Sequence, residues 1–285
     1  MSRWAYVDGR WTRHADARVH VEDRGFQFAD GVYEVWAVFD GRLADSEGHF
    51  ARLERSLGEL RIPPPMSRAA LHQVLAQAVR RNRVRDGIVY LQVTRGQARR
   101  DHPFPPAGTR PTVVVTAKPL DLSAGEDKAA AGVSVITVPE SRWARCDIKS
   151  VALLPNVLAK QAAREAGAYE AWFVDTDGRV TEGGSTNAWI VDADGALRTR
   201  DTAANILRGV TRAGVLDLAP ELQLRVEERP FTVAEAQGAR EAFVTAASTL
   251  VMPVVRIDGA EVGDGRPGPV ATALRRLYLE RARAA

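Results

Sequence analysis

Hydrophobic and polar positions alternate along this chain with two periods. "WAYVDGRWTR" (4–13) and "VYEVWAVFDGRLA" (32–44) are rich in aromatic and β-branched residues and break at Asp8-Gly9 and Asp40-Gly41, dipeptides that suit tight hairpin turns. From Ser46 to about Leu60 the apolar positions recur at helical spacing, and the triple proline at 63–65 stops that helix. A second helix is predicted from the cap at Ser67 to about Val84, after which "GIVYLQVTRG" (87–96) and "TVVVTAK" (112–118) read as buried strands. In the second half "VSVITVP", "EAWFVDTDGRV", "NAWIVDADGAL", "REAFVTAA" and "VMPVVRIDGAEV" read as short strands, three of them turned by Asp-Gly. Helices are predicted at 153–166, 209–219, 232–238 and 268–283. The polar stretch 119–131 reads as a linker. The pattern therefore predicts an α+β protein, with a small N-terminal domain over 1–118 and a larger, barrel-like C-terminal domain over 132–285.

The 285 residues are 45% hydrophobic, enough for a sizeable core. The opening residues lack the apolar run of a signal peptide, and no stretch approaches the roughly 18–20 apolar residues of a membrane span, so a cytoplasmic location is expected. Cys146 is the one cysteine, which excludes an intramolecular disulfide and a multi-cysteine metal site. The net charge of +3 is spread over mixed-sign stretches such as "HFARLERSLGEL", the pattern of solvated helix faces rather than of a nucleic-acid surface.

One asymmetry matters for chemistry. Of 39 basic residues only four are lysines: Lys118, Lys128, Lys149 and Lys160. A guanidinium stays charged and does not form imines under ordinary conditions, whereas an amine does, so a search for an amine nucleophile has four candidates. Lys160 lies within a predicted helix and reads as solvated, while Lys118 and Lys128 flank the linker. Lys149 stands in "RCDIKSVALLPN" (145–156), between a strand and a helix. It reads either as a surface ion pair with Asp147 or as an amine that holds an aldehyde cofactor such as pyridoxal phosphate.

Two further segments bear on that choice. In "VTEGGSTNAWIV" (180–191), Glu182 ends a hairpin strand; it is a candidate partner for a protonated pyridine nitrogen, or a turn residue beside Arg179. In "LRGVTRAG" (207–214), Gly209 precedes a predicted helix, which would point the amides of Val210 and Thr211 at an anion. Arg52, with His49 on the same helix face, could supply a charged fork to the same phosphate or belong to a solvated face.

On these residues the chain resembles the class IV, or fold-type IV, pyridoxal-phosphate aminotransferases over nearly its full length. The likeness runs through "DRGFQFADGVYE", "HFARLERS", "RCDIKS", "TEGGSTN", "ILRGVTR" and "FVTAAS". The resemblance implies that Lys149 is the Schiff-base lysine and proton shuttle and that Glu182 faces the ring nitrogen. It implies too that Arg52, Val210, Thr211 and Ser248 hold the phosphate and that Leu207 packs on the ring. Within the family, "TRGQARRDHPFP" (94–105) looks like the D-amino acid aminotransferases, whose Arg-x-His falls here on Arg100 and His102. Alternate residues of an extended segment share a face, so this pair can trap a carboxylate, although "ARRDH" also reads as a basic surface loop. Tyr33 resembles the third member of that trap, and Ser185 is placed on the substrate side. In the family this loop reaches the neighbouring subunit's site, which implies a homodimer.

The chain departs from the family pattern in three places. Ala247 stands where a threonine hydroxyl is usual, with Ser248 beside it. Gly184 replaces a common serine, and Trp189 replaces a Phe or Tyr. The expected activity is transamination between D-alanine and 2-oxoglutarate, giving pyruvate and D-glutamate by a ping-pong mechanism, on small-molecule D-amino acids and 2-oxo acids. The alternatives are a branched-chain L-amino acid aminotransferase, an aminodeoxychorismate lyase or an (R)-amine transaminase of the same fold, and a pyridoxal-binding protein without turnover.

Overall fold

Two sheets carry the hydrophobic alternation into space. The computed structural model describes residues 3–203 and 206–284, and the chain divides into two compact units. The first comprises residues 1–121 together with Ile148–Ala152. Its elements are β1 (Trp4–Val7), β2 (Arg10–Arg13), α1 (Arg24–Phe28), β3 (Gly31–Phe39), β4 (Arg42–Leu43), α2 (Ser46–Glu59), α3 (Arg68–Asn82), β5 (Gly87–Thr94) and β6 (Thr112–Pro119). The strands form one antiparallel sheet in the order β2-β1-β6-β5-β3-β4. Helices α2 and α3 bury Phe50, Leu53, Leu57, Leu71, Leu75 and Val79 in the same core as Val32, Trp36, Val89, Leu91 and Val115 from the sheet. Each such side chain contributes on the order of 1.5–3 kcal/mol. Ser67 caps α3, its hydroxyl accepting from the amide of Ala70 at 3.3 Å. The short helix α1, which periodicity did not reveal, is capped by Asp23, whose carboxylate accepts from the amides of Gly25 and Phe26.

The second unit comprises residues 122–147 and 153–284. It holds α4 (Leu122–Ala131), β7 (Val133–Pro139), α5 (Leu154–Glu165), β8 (Glu170–Val174), β9 (Val180–Gly183), β10 (Asn187–Val191), β11 (Leu197–Thr199), α6 (Val210–Leu218), β12 (Val226–Glu228), α7 (Val233–Gln237), β13 (Glu241–Ala246), β14 (Leu250–Ile257), β15 (Ala260–Glu261) and α8 (Pro269–Ala284). Its strands form one curled nine-stranded sheet in the order β12-β11-β10-β13-β14-β7-β8-β9, with β15 beside β14. The pairings β14–β7, β7–β8 and β11–β12 are parallel and the others antiparallel. Trp172, Ile190, Phe231, Val244 and Met252 lie in its core.

The stretch 119–131 is not a bare linker, because α4 occupies most of it. That helix is anchored by Glu126, which accepts from the buried Arg275 of α8 at 2.9 and 3.2 Å. Among the described residues no helix is long and apolar enough to cross a membrane.

Candidate active site

Lys149 owes its place to backbone pairing. The amide of Tyr33 donates to the carbonyl of Lys149 at 3.0 Å, the amide of Val151 donates to Gly31 at 3.0 Å, and Ser150 bridges to Val32. The amide of Lys149 donates in turn to the Ser56 hydroxyl on α2 at 3.3 Å. With Ile148 in the core beneath it, the segment behaves as a short extra strand on β3. Lys149 Nζ lies 4.4 Å from the Tyr33 ring centroid, and Tyr33 stacks on Tyr90 at 5.8 Å. A cation over an aromatic face is attracted by about 0.5–2 kcal/mol, which orients the amine without consuming it. Asp147 accepts from Arg145 at 2.8 and 3.0 Å.

Next to Tyr33 on β3, Glu34 is fully buried. It accepts from Arg52 Nε at 2.7 Å and Nη2 at 2.8 Å, and from His49 Nδ1 at 2.8 Å. Arg52 and His49 are therefore not a solvated face, since both point at one buried carboxylate. Burial raises the Glu34 pKa, but the charge of Arg52, then its hydrogen bonds and that of His49, bring it down to about 2. Burial holds His49 below its usual range despite Glu34, with Arg52 and Lys149 adding to the effect, so the ring is neutral near pH 7 and donates through Nδ1.

Arg100 and His102 are exposed and meet at one side chain: Arg100 Cζ lies 5.1 Å from the Phe28 ring centroid, and the His102 ring lies 5.5 Å from it. Residues 100–102 are bent rather than extended, and the two side chains share the Phe28 ring as a neighbour. Neither is in hydrogen-bond or ring contact with Tyr33 of the same chain, whose neighbours are Lys149 and Tyr90.

In the second unit, Glu182 lies buried near the end of β9. Arg142 Nη1 donates to its Oε1, Asn187 Nδ2 donates to its Oε2 at 3.0 Å, and the Leu207 amide lies 3.1 Å from both oxygens. A buried carboxylate needs such compensation, because desolvating it alone costs far more than a hydrogen bond returns. Glu182 is thus no turn residue paired to Arg179. Arg142 is itself braced by Glu140 and has its pKa raised: burial opposes this, but Glu140 and Glu182 prevail. Sequence reasoning missed Arg142, which lies 40 residues from Glu182 without a local signal.

Asn187 also donates to the Leu207 carbonyl at 3.0 Å, closing a small ring around Glu182. A Cβ on Gly209 would lie 2.0 Å from Asn187 Oδ1, so only glycine fits there. Gly209 is the N-cap of α6 and supplies no side-chain cap, which leaves Val210 and Thr211 as the first helical residues, their amides suited to an anion. Ser248 is exposed in the turn between β13 and β14. Cys146 is buried, and its thiol is pushed up to about 11 by burial, partly offset by Arg142 and reinforced by Glu182; it is an unreactive side chain.

Lys160 departs from expectation. Its Nζ donates to the Tyr169 carbonyl at 2.8 Å and lies 3.1 Å from Oε1 of the fully buried Glu170. Glu170 also accepts from the Ser185 hydroxyl at 2.8 Å and from Thr186. The expected substrate residue Ser185 is therefore tied to Glu170. The glycine at 184 has a local reason: a Cβ there would lie 3.1 Å from Glu170 Oε1 and 3.2 Å from Lys160 Cδ. Trp189 is core, stacked on Phe243 at 5.5 Å with its indole N–H donating to Thr245.

The chain as a whole is similar to known aminotransferases. The model of the class IV amino-transferase family matches residues 31–257. Curated D-alanine aminotransferases resemble the chain: that of Bacillus licheniformis is 42% identical over 95% of this chain and 96% of its own, and that of Staphylococcus haemolyticus 37% identical over 95% and 94%. Among solved structures, the branched-chain amino acid aminotransferase of Escherichia coli is 25% identical, with a TM-score of 0.90 over 100% of this chain and 96% of that one. A T.th. branched-chain enzyme with pyridoxamine 5'-phosphate is 27% identical, also with a TM-score of 0.90, over 100% of this chain and 95% of that one. The chain therefore belongs to the class IV aminotransferases, pyridoxal-phosphate enzymes of fold type IV.

Proposed function

We propose that the protein is a D-amino acid transaminase that moves the amino group between D-alanine and 2-oxoglutarate, yielding pyruvate and D-glutamate. The observation that carries this reading is the 100–102 loop, where a guanidinium and an imidazole stand exposed beside Phe28 and suit a carboxylate. The curated relatives named D-alanine aminotransferases, at 36–42% identity, support it.

The residues present suit pyridoxal phosphate. Lys149 offers an amine steered by an aromatic face, Glu182 a buried carboxylate, and Gly209 an uncapped helix start where a side chain would clash. When bound, the cofactor supplies an electron sink for the substrate's α-carbon. Lys149 would hold it through its amine and would serve as the general base and acid for the substrate's α-proton. Glu182 would hold the proton on the ring nitrogen, and Leu207 would pack on the ring. Arg52, the Val210 and Thr211 amides and Ser248 would hold the phosphate. Tyr33 and Ser185 line the substrate side. The exposed apolar stripe of α5, with Leu154 at 69%, Val157 at 58% and Leu158 at 63% exposure, supports a homodimer in which Arg100 and His102 serve the neighbouring subunit's site. In this reading the enzyme works in the cytoplasm on its small polar substrates.

The test is turnover of D-alanine with 2-oxoglutarate, read as pyruvate, beside L-leucine and an (R)-arylamine. Preference for L-leucine would replace this reading with a branched-chain one. Borohydride should bleach the yellow holoenzyme and label Lys149, and Lys149→Ala should abolish transamination; substantial residual turnover in that variant would sink the assignment.

A further inference from the structure

Arg24 opens α1 with its side chain only 4% exposed, an unusual environment for an arginine. Its Nε donates to Asp30 Oδ2 at 2.8 Å, Nη1 to the carbonyl of Asp101 at 2.6 Å, and Nη2 to the carbonyl of His102 at 3.2 Å. The guanidinium also lies 4.8 Å from the Phe28 ring centroid, the same ring that Arg100 and His102 approach.

These contacts hold the near end of a loop whose Phe104 is held separately, its ring centroid lying 3.7 Å from Arg95 Cζ and 4.7 Å from Arg61 Cζ. Residues 97–111 form no helix or strand, and Arg99, Arg100, Asp101 and His102 are all exposed. At its start the loop is pinned by the Arg24 amide donating to Gly96 at 2.9 Å and by the Ala98 amide donating to Glu22 at 3.3 Å. Beyond that, Arg24 donates to the carbonyls at 101 and 102, while the Asp101 carboxylate accepts from the His102 amide at 2.8 Å. Asp30 fixes Arg24 in turn. That carboxylate also binds Arg95 through both oxygens, at 2.7 and 2.9 Å, and Arg95 donates to the carbonyls of Leu60 and Arg61. The chain of bonds thus runs from the end of α2 through Arg95, Asp30 and Arg24 to the loop backbone.

We infer that Arg24 is a positioning residue for recognition of the substrate carboxylate: it fixes the backbone at 101 and 102 so that Arg100 and His102 stand together beside the Phe28 ring. This rests on the reading of Arg100 and His102 as the carboxylate trap. Arg24 itself has its donors on Asp30 and two carbonyls, so it acts through the loop and does not touch substrate. A misplacement of about 1 Å in a positioning group can cost up to roughly a hundredfold, and here that loss falls on substrate binding.

The test is steady-state kinetics of the holoenzyme with D-alanine for Arg24→Met, Arg24→Lys, Arg100→Ala and the Arg24→Met/Arg100→Ala double variant. Arg24→Met is expected to raise KM for D-alanine about tenfold or more, with kcat within about threefold and the cofactor absorbance unchanged. Arg24→Lys keeps the charge but not the three-way donation, so it should recover part of the loss, and it serves as the probe should Arg24→Met fold poorly. Because Arg24 acts through Arg100 and His102, the loss in the double variant should be clearly smaller than the sum of the two single losses, the remainder beyond Arg100→Ala being the share of His102. Additive losses in the double variant, or kcat falling with KM unchanged, would overturn the inference. If Arg100→Ala raises KM and both Arg24 variants leave it unchanged, the inference fails while the trap stands. If Arg100→Ala has no effect on KM, the trap reading fails and the inference with it.

Discussion

Replacing Glu34 by Gln keeps the shape of the side chain and removes the charge. Glu34 is fully buried and faces Arg52 through two hydrogen bonds and His49 through a third. Its pKa falls from 4.5 to about 2, which at about 1.4 kcal/mol per tenfold change corresponds to roughly 3 kcal/mol of folding stability. An independent route gives a similar figure, since removing one partner of a buried ion pair typically costs about 3–5 kcal/mol. With an unfolding entropy of about 2.1 cal/mol/K per residue, a loss near 3 kcal/mol lowers Tm by about 5 °C if all 285 residues melt together, and by about 11 °C if the first unit melts alone. Differential scanning calorimetry of both proteins at pH 7 measures the difference. The sign with pH follows from the depressed pKa: the contribution is complete above about 4.5 and fades as pH falls towards 2. The gap between the two proteins should therefore narrow between pH 5 and pH 3. A Tm difference under about 1 °C at pH 7, or a gap as wide at pH 3 as at pH 7, would refute the assignment of this carboxylate as the charged anchor of Arg52.

Gly209→Ala places a methyl 2.0 Å from Asn187 Oδ1 and should displace the amide that holds Glu182, weakening pyridoxal phosphate binding tenfold or more by absorbance titration at roughly 1.5–3 kcal/mol per lost charged hydrogen bond. Gly184→Ser should crowd Lys160, whose flexible stem can shift, so a drop in stability of about 1 kcal/mol is expected by denaturant titration. Gly132 has φ +73° and a would-be Cβ 2.3 Å from Val255, so Gly132→Ala should destabilise by about 1–3 kcal/mol or more, read by the same titration. Cys146, with its thiol near 11, should react with a disulfide reagent at pH 8 far more slowly in the native protein than in denaturant; equal rates would contradict its burial.

Much of the fold was legible because local rules agreed with one another. The hairpins at Asp8-Gly9 and Asp40-Gly41 and the Ser67 cap lie where turn chemistry and periodicity put them. Helix α4 was missed because its residues, "LSAGEDKAAA", carry little apolar periodicity and are anchored by the distant Arg275. Lys160 was misread for the same reason: its partner Glu170 sits on β8, and helical position alone does not reveal a buried anion.

The sequence by itself determined the family, the scarcity of lysine that drew attention to Lys149, and the Arg-x-His spacing at 100–102. All of these are properties of order and identity along the chain. Only the tertiary structure decided which charges neutralise which: Arg52 with Glu34, Arg142 with Glu182, Lys160 with Glu170, and Arg24 with the loop at 101 and 102. Those partners are separated by 10 to 78 positions. The reason is physical, since a buried charge must find a counter-charge wherever the fold brings one close, and no local pattern encodes that meeting.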